Sequence, residues 1–389
     1  MIIKTLNRKS VVLASALVMG SFGLMLSGAQ AQQTLYLPNV VELSGPGAVS
    51  GTNWRDGITL AVEEINAKGG ILGRKIELEN LDTQSDAGIS RAQMQKVLDK
   101  NPYVVLGPVF SGSVLVDMAL TAQAEVPEIM GGEAAAITQK GSKYIFRTAF
   151  GQQTSIPKLA NYFRDGVKAK TVAVVWVNND FGKGGRDLII KSLEARGIKI
   201  GADISSDPGQ VDFSSVVIKA KQSNGDALFA YTNEEESARL LRELKKQGYS
   251  KPVIGETVLT SQKVIELAGD AANGAIAHVG LTADAPQPLV KKFDEAFQKE
   301  FKTRSDHNGL KGYIGMYTVK AVTEKVGKFD SKAFAAAMKN VSLSAKTTPG
   351  LLLDVSYDAN GDLDRESYLT KVVNGKQVVS EILPPVNKK

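Results

Sequence analysis

The chain has 389 residues, no cysteine, only two histidines and a formal net charge of +6. The lack of cysteine excludes disulfides, thiol chemistry and a lipid-anchored cleavage site, and two histidines leave little material for a zinc site. The basic residues alternate with acids and do not cluster, which does not indicate a surface for nucleic acid.

The first 31 residues have the layout of a secretory signal peptide. A basic start precedes the almost uncharged apolar run Val11–Leu26, and small residues follow up to Ala29–Ala31, which predicts cleavage after Ala31. A membrane anchor is the alternative, but the run is short for a span of about 20 residues and has no basic flank behind it. Cleavage would leave about 358 residues with a charge of about +3, enough for two domains of an exported, periplasmic protein.

Strand and helix alternate through the first part of the mature chain. "LYLPNVVELSG" predicts a strand, and the helix after it places Ile58, Ala61, Val62 and Ile65 on one face. "KIELENL" alternates apolar and acidic residues, as a strand at a sheet edge does. Further elements are predicted in chain order: a buried strand at Tyr103–Gly107, a helix from about Ser113 and a strand at Val126–Met130.

A similar series begins after Phe150. "TVAVVWV" predicts a central parallel strand covered on both faces. Helices are predicted at 184–196, from 213, and at 234–247, 262–267, 289–301, 312–326 and 331–340, with strands at "IKIGADI", "DALFAY" and 275–281. The chain ends in "LLLDVSYDANGD" and "YLTKVVNGKQVVSEI", which predict strands with a hairpin turn at Asn374-Gly375.

Two such runs predict an α/β fold with two doubly wound, Rossmann-like parallel sheets. Ligands of these sheets bind beyond the carboxyl ends of the strands, here at loops such as "SGPGAVSG" and "GPVFSG". A cleft between two lobes is therefore expected.

The sequence does not match the motifs of dinucleotide-binding, P-loop or calcium sites. The glycines Gly45, Gly47 and Gly51 do not fit G-x-G-x-x-G, and no phosphate-binding P-loop occurs. "DANGDLDRE" resembles a calcium loop but has Leu363 and Leu369 at required positions, so a turn is predicted. With no nucleophile and base in a motif, we predict no catalysis, no cofactor and no metal.

Several segments together resemble one known family. "INAKGGILGRKIEL", "VVLGPVFSG", "DFGKGGRDL", "RLLRELKKQGY" and "GYIGMYTVKAV" are similar, in this order, to segments of the Leu/Ile/Val-binding-protein family, whose members are type I periplasmic solute-binding proteins of ABC importers. The resemblance runs from about Leu35 to near the C-terminus. It implies two lobes joined by three crossovers, near Phe150, Leu281 and Leu353, with one lobe of 32–150 plus 282–352 and the other of 151–281 plus 353–389.

The resemblance also implies where a ligand binds. A ligand carboxylate would lie at Ser111 and at the "GGEAAA" loop with Glu133, Ala134 and Ala135; helix capping by Ser111 is the alternative, and both roles are compatible. The second lobe would supply an aromatic side chain, Phe181, and an acid for a ligand ammonium, Glu256. Loop packing for the first and a solvated loop acid for the second are the alternatives.

The sequence departs from the family pattern at some of these positions. Ser50 replaces the usual aromatic residue of the first loop, which leaves Trp54 as a cavity wall or as core packing. A second-lobe tyrosine corresponds to Asn233 or, with a shifted register, to Tyr231. Glu133 would repel a carboxylate unless it is protonated or turns outward, and we take the outward orientation as the hypothesis.

The resemblance implies a monomeric, non-catalytic protein that binds a branched-chain or other apolar amino acid by lobe closure and delivers it to a membrane permease. The alternative ligands are an aromatic or other organic acid and a small amide. A sensory ectodomain and an exported nucleotide-dependent enzyme are the alternatives from other classes.

Overall fold

The computed structural model describes residues 34–385, so the predicted signal peptide and its cleavage site lie outside the described residues. The helices are α1 Ala48–Ala67, α2 Ala87–Leu98, α3 Ser111–Ala124, α4 Ala135–Gln139, α5 Gln152–Asp165, α6 Asp180–Glu194, α7 Ser214–Gln222, α8 Glu234–Lys246, α9 Gln262–Ala268, α10 Pro288–Phe301, α11 His307–Val326 and α12 Ser331–Met338. Across this range no helix combines the length and the apolar character needed to cross a bilayer.

The strands form two large sheets and one small sheet. They are β1 Leu35–Val41, β2 Ile76–Asp82, β3 Val105–Leu106, β4 Glu128–Met130, β5 Ile145–Arg147, β6 Thr171–Val177, β7 Lys199–Ser206, β8 Ala227–Tyr231, β9 Val253–Gly255, β10 Ile276–Val279, β11 Ser342–Leu343, β12 Val355–Tyr357, β13 Leu363–Asp364, β14 Ser367–Val373 and β15 Lys376–Leu383.

The first sheet is parallel, with the order β2-β1-β3-β4-β5, and β2 lies at its edge as predicted. Helix α11 packs against α1 beside this sheet, and their apolar residues belong to the largest core cluster, which includes Trp54, Ile58 and Ile314. We call this part of the molecule, with α10 and α12, the first lobe.

The second sheet has the order β15-β14-β10-β9-β8-β6-β7 and defines the second lobe. Its core strand β6 has parallel neighbours on both sides, β7 and β8, which confirms the prediction from "TVAVVWV". The strands β14 and β15 add antiparallel pairs at one end. Both residues of the predicted hairpin turn have positive φ, 50° at Asn374 and 70° at Gly375, as the tight two-residue turn requires.

Several elements differ from the sequence-based expectation: α2, α4, α5 and β5 were not predicted, and α11 begins earlier than expected. Helix α5 was not predicted, because Pro157 and a polar first turn obscure its apolar face. Helix α11 begins at His307 and not near residue 312, because the Asp306 carboxylate caps it by accepting from the amides of Asn308 and Gly309 at 2.7 and 3.3 Å. This extra turn carries side chains into the cleft.

The last crossover follows from the packing of β12 and β13. Val355, Tyr357 and Leu363 share the largest core cluster with Phe146 of the first sheet, and Asp362 pairs with Arg147. The chain then enters β14 of the second sheet at Ser367. We therefore propose lobes of 34–150 plus 282–364 and 151–281 plus 365–385, with the third crossover after Asp364 in place of Leu353.

Candidate functional site

A cavity of about 240 Å³ lies between the lobes, beyond the carboxyl ends of strands of both sheets. This is the place where doubly wound sheets bind ligands. The residues from the first lobe are Pro46, Ser50, Ser85, Ala87, Val109, Phe110, Ser111, Gly112, Ser113, Gly131, Glu133, His307, Asn308 and Lys311, and those from the second lobe are Asn179, Asp180, Phe181, Pro208, Asn233, Glu234 and Val258. The volume is below the range of about 300–1,000 Å³ that is typical for drug-sized ligands, which suits a small metabolite.

The start of α3 presents donors to this cavity. The amides of Ser111, Gly112 and Ser113 lie in its first turn, where no helical carbonyl can accept from them. The preceding loop is held by the buried carboxylate of Glu42, which accepts from the amides of Val109 and Phe110 at 3.0 and 3.1 Å. Burial raises the pKa of Glu42. The result is a fixed helix N-terminus, a favourable place for an anionic group.

The side chain of Ser111 does not cap its own helix. Its Oγ accepts from the amides of Glu133 and Ala134 at 3.2 and 3.1 Å, so it joins the start of α3 to the loop after β4. Its hydroxyl hydrogen remains available to an acceptor in the cavity. The amide of Ala135 is used within the protein, because it donates to Gln152 Oε1 at 3.3 Å.

The loop after β4 is fixed from behind by Arg147. This buried guanidinium donates to the carbonyl oxygens of Gly132 and Ala134 and pairs with Asp362 at 2.7 Å. Since the arginine holds the carbonyl groups, the loop keeps one orientation toward the cavity. The sequence-based prediction did not identify this support.

Glu133 lines the cavity, so the hypothesis that it turns outward is wrong. Its Oε1 accepts from Lys311 Nζ at 2.6 Å, and side-chain exposures of 13% for Glu133 and 5% for Lys311 show that the pair is largely buried. Lys311 reaches the cavity because α11 begins one turn earlier than predicted. Its ammonium group compensates the Glu133 carboxylate, which removes the repulsion expected of an isolated acid in this loop.

The second lobe contributes an aromatic wall. Phe181 lines the cavity and stacks on Tyr231, with ring centroids 4.2 Å apart and planes inclined by 21°. Tyr231 lies behind it, 2% exposed, and accepts from Gln152 Nε2 at 3.0 Å. Burial, the main cause, raises the pKa of Tyr231 well above its usual value. Tyr231 therefore orients Phe181 and does not itself line the cavity.

Ser50 and Glu234 connect the lobes at the cavity wall. Ser50 Oγ donates to Glu234 Oε1 at 2.7 Å, and both residues are buried. Burial raises the pKa of the Glu234 carboxyl, which its bond from Ser50 partly opposes. The neighbouring Asn233 also lines the cavity, and its buried Nδ2 has no hydrogen-bond partner.

A second close approach lies near Gly112. A methyl group placed on Gly112 would lie 3.0 Å from Asp180 Oδ2 of the second lobe. The start of α3 thus comes within contact distance of the start of α6.

Two residues that the sequence placed in the site lie elsewhere. Trp54 is fully buried in the largest core cluster and donates from Nε1 to Asn39 Oδ1 at 2.9 Å, so it is core packing. Glu256 is 4% exposed and does not line the cavity between the lobes. Its Oε1 lies 2.6 Å from His278 Nδ1, and Oε2 accepts from the amide of Thr257 at 2.9 Å. Although burial acts the other way, His278 and these bonds hold the pKa of Glu256 below its usual value.

The sequence-based prediction missed Lys311, His307, Asn308 and Glu234. The first three lie in the N-terminal part of α11 that was not predicted. Asp306 is a helix-capping residue and could have indicated that the helix begins there. Glu234 was placed on a helix but was not considered as a cavity residue, although it directly follows the candidate Asn233.

The comparisons agree with this architecture. A family model described as periplasmic binding protein matches residues 34–377. The Leu/Ile/Val-binding protein BraC3 of Rhizobium johnstonii is 29% identical over 345 residues, covering 88% of this chain and 92% of the relative. A leucine-, isoleucine-, valine-, threonine- and alanine-binding protein of Pseudomonas aeruginosa is 26% identical over 346 residues, covering 87% and 89%.

Solved structures share the fold. The leucine-binding protein LivK of Thermotoga maritima superposes with a TM-score of 0.83 at 22% identity, covering 90% of this chain and 99% of that one. A solute-binding protein of Rhodopseudomonas palustris in complex with 3,4-dihydroxybenzoic acid also has a TM-score of 0.83, at 23% identity, covering 91% and 98%. With two lobes, a cavity between them and a family match over most of its length, the chain belongs to the periplasmic binding protein family.

Proposed function

We propose that this protein is the substrate-binding protein of an ABC importer and captures a branched-chain or other apolar amino acid. The observation that carries the proposal is the polarity of the cavity. Free amides at the start of α3 face it from one side, and the Glu234 carboxylate lines it from the second lobe. A zwitterion matches this arrangement, with its carboxylate at the helix start and its ammonium toward the acid.

The apolar part of such a ligand has a suitable surface. Val109, Phe110, Phe181 and Val258 line the same cavity. The ligand-binding set that we propose is therefore Ser50, Ser111, Glu133, Phe181, Asn233 and Glu234, with Lys311 added. Ala134 and Ala135 do not line the cavity, and their amides donate to Ser111 and Gln152, so they support the loop from behind. Tyr231 acts through Phe181. This set replaces Glu256 by Glu234 as the acid nearest to a ligand ammonium.

The second candidate is an aromatic or other organic acid, or a small amide, in the same transport role. The position of Glu256 favours it, since the acid expected to hold an ammonium group is buried away from the cavity. The ring of Phe181 would then stack on the ligand, and the orphaned Nδ2 of Asn233 would donate to a ligand oxygen.

Membership of the family supports the remaining parts of the proposal. The protein is exported to the periplasm after cleavage of its signal peptide, carries out no catalysis and acts as a monomer. Its lobes close on the ligand as rigid bodies about the crossovers, and the closed form is presented to the permease.

Mass spectrometry of small molecules released by unfolding the purified protein tests the ligand class directly. Isothermal titration with leucine, isoleucine, valine, benzoate and acetamide then ranks the candidates. We expect the tightest binding for an apolar amino acid. Tighter binding of benzoate or acetamide would establish the second candidate, and turnover of a bound compound would overturn the non-catalytic role.

A further inference from the structure

A groove of about 510 Å³ lies at the third crossover. Its apolar lining comes from the start of α10, from the loop between β11 and β12, and from the segment after β15: Pro288, Leu289, Ala345, Leu352, Leu353 and Pro385. Among the described residues, this groove and the cavity between the lobes have no lining residue in common. The groove is therefore a surface separate from the proposed solute site.

Leu289 leaves apolar surface uncovered in this groove. It is 39% exposed, whereas Leu352 and Leu353 of the same lining are buried. Contact with another apolar side chain would remove the surface of Leu289 from water, which is favourable. One exposed leucine is ordinary on a protein surface, so the identity of its partner has to come from other features of the groove.

The charged part of the lining is more acidic than basic. Asp354 and Glu366 are exposed, and Asp364 is half-buried. The cations are Lys346, which is exposed, and Arg365, which is only 4% exposed. Three acids and two bases give the lining a net formal charge of −1, and solvent reaches the acids more than it reaches the buried guanidinium. A segment with positive charge therefore fits this groove.

The four residues that follow Pro385 have the complementary chemistry. This tail segment combines one apolar side chain with two positive charges and lies outside the described residues: Val386, Asn387, Lys388 and Lys389. Because Pro385 itself lines the groove, the tail segment starts at the groove. Four residues span at most about 14 Å, which is more than the roughly 10 Å across a compact groove of this volume.

We propose that the tail segment occupies the groove of its own chain. Val386 covers the exposed part of Leu289, and the two lysines lie at the carboxylates of Asp354 and Glu366. Since exposed ion pairs contribute little stability, the apolar contact holds the segment and the charges select its orientation. In the lobes proposed above, β15 belongs to the second lobe and α10 to the first. The tail segment is thus a strap across the third crossover that needs no solute.

Alkylation of an introduced thiol tests occupancy, because the chain has no cysteine of its own. In Leu289→Cys the thiol lies under the tail segment, and cysteine is itself apolar, so the contact is kept. Ending the chain after Pro385 should raise the rate of maleimide labelling by at least about 5-fold, since the thiol is protected only while the groove is occupied. Leu72→Cys is the matched control: Leu72 is 41% exposed, is not in the described lining, and should react equally in both chains.

The assignment of the lysines has its own test. Lys388→Glu with Lys389→Glu brings like charges to the acids of the groove, so labelling of Leu289→Cys should approach the rate of the shortened chain. The control is Lys371→Glu with Lys376→Glu, which makes the same change of charge at exposed lysines away from the described lining and should leave the rate unchanged. An unchanged rate after the first reversal would contradict the pairing of the tail lysines with these acids.

Oxidation of Leu289→Cys with Val386→Cys identifies which chain supplies the segment. We expect a disulfide within one chain, since contact places the two sulfur atoms within bonding range. A disulfide-linked dimer on a non-reducing gel would show that a second copy supplies the segment and would overturn the proposal. Equal labelling of Leu289→Cys with and without residues 386–389 would overturn it as well. Both experiments are done without solute, so their results are independent of the proposed transport function.

Discussion

Two buried acid–base pairs lie near the cleft, and they differ in whether they line the cavity between the lobes. The wall pair, Glu133 and Lys311, joins a first-lobe loop to α11 and lines the cavity between the lobes. The inner pair, Glu256 and His278, lies within the second lobe and does not line that cavity. Both contacts are 2.6 Å long, so the pairing chemistry alone does not separate them. In this protein the acid whose partner also faces the cavity lines it, and the acid whose partner lies on a neighbouring strand does not.

The largest effect is expected when the wall pair is broken at its basic residue. Lys311→Met leaves the Glu133 carboxylate unpaired in a largely buried position, which should lower the free energy of unfolding by about 3 kcal/mol. It also returns a repulsive charge to the loop that would hold a ligand carboxylate. We expect at least about 100-fold weaker ligand binding in isothermal titration, roughly 3 kcal/mol.

The double variant Lys311→Met with Glu133→Gln sharpens this test. It removes both charges, so part of the lost stability and affinity should return. Lys320→Met is the control, because its partner Glu324 lies one turn along the same helix and faces solvent. Unchanged affinity in Lys311→Met would show that the pair has no contact with the ligand.

Glu256→Gln probes the inner pair. The change leaves His278 with a weaker partner, and we expect a loss of about 2 kcal/mol in unfolding free energy by urea titration. Affinity should change by less than about 2-fold, or 0.4 kcal/mol, since Glu256 does not line the cavity. A 10-fold loss of affinity at unchanged stability would instead place Glu256 against the ligand ammonium, as the sequence-based hypothesis had it.

Ser50→Ala removes the hydrogen bond from Ser50 Oγ to Glu234 Oε1, which joins the two lobes. Removing a hydrogen bond to a charged group costs about 1.5 kcal/mol, so closure and affinity should weaken by about 10-fold. Small-angle scattering at saturating ligand should show the same compact form as the unmodified protein. Ser85→Ala is the control, because Ser85 lines the cavity but donates to the carbonyl of Ser44 within its own lobe. Equal losses in both variants would contradict a specific role for the bond between the lobes.

The smallest effect concerns Asp306, which caps the helix that carries Lys311. Burial raises the pKa of Asp306 to about 7, so the folded protein binds this proton more tightly than the unfolded chain. Its contribution favours folding below about pH 4 and is lost as the pH rises through about 7. Between pH 6 and pH 7 the unmodified protein should lose about 1 kcal/mol relative to Asp306→Asn, which keeps the cap. A difference that does not vary with pH would exclude this titration.

Much of the fold could be predicted from local patterns because most of its longer strands and helices carry their own signal. The β-branched run of β6 and the Asn374-Gly375 turn are examples, since burial on both faces and positive φ restrict the residues allowed. Residues such as Ser111, Phe181 and Asn233 were named as candidates from the family resemblance, and they line the cavity.

Other parts of the site depend on contacts between distant segments. The pairing of Glu133 with Lys311 joins residues 178 apart in the chain, and no local pattern indicates it. The sequence likewise did not show that Glu256 meets His278 from a neighbouring strand, or that Asn39 holds Trp54 in the core. The third crossover that we propose after Asp364 also depends on such contacts, because it rests on the packing of β12 and β13 against the first lobe.

Gly112 lies where the two lobes approach each other closely. A methyl group added by Gly112→Ala would lie 3.0 Å from Asp180 Oδ2, so this exposed carboxylate would have to shift by a few tenths of an ångström. Glycine at this position lets the start of α3 and the start of α6 approach each other without that adjustment.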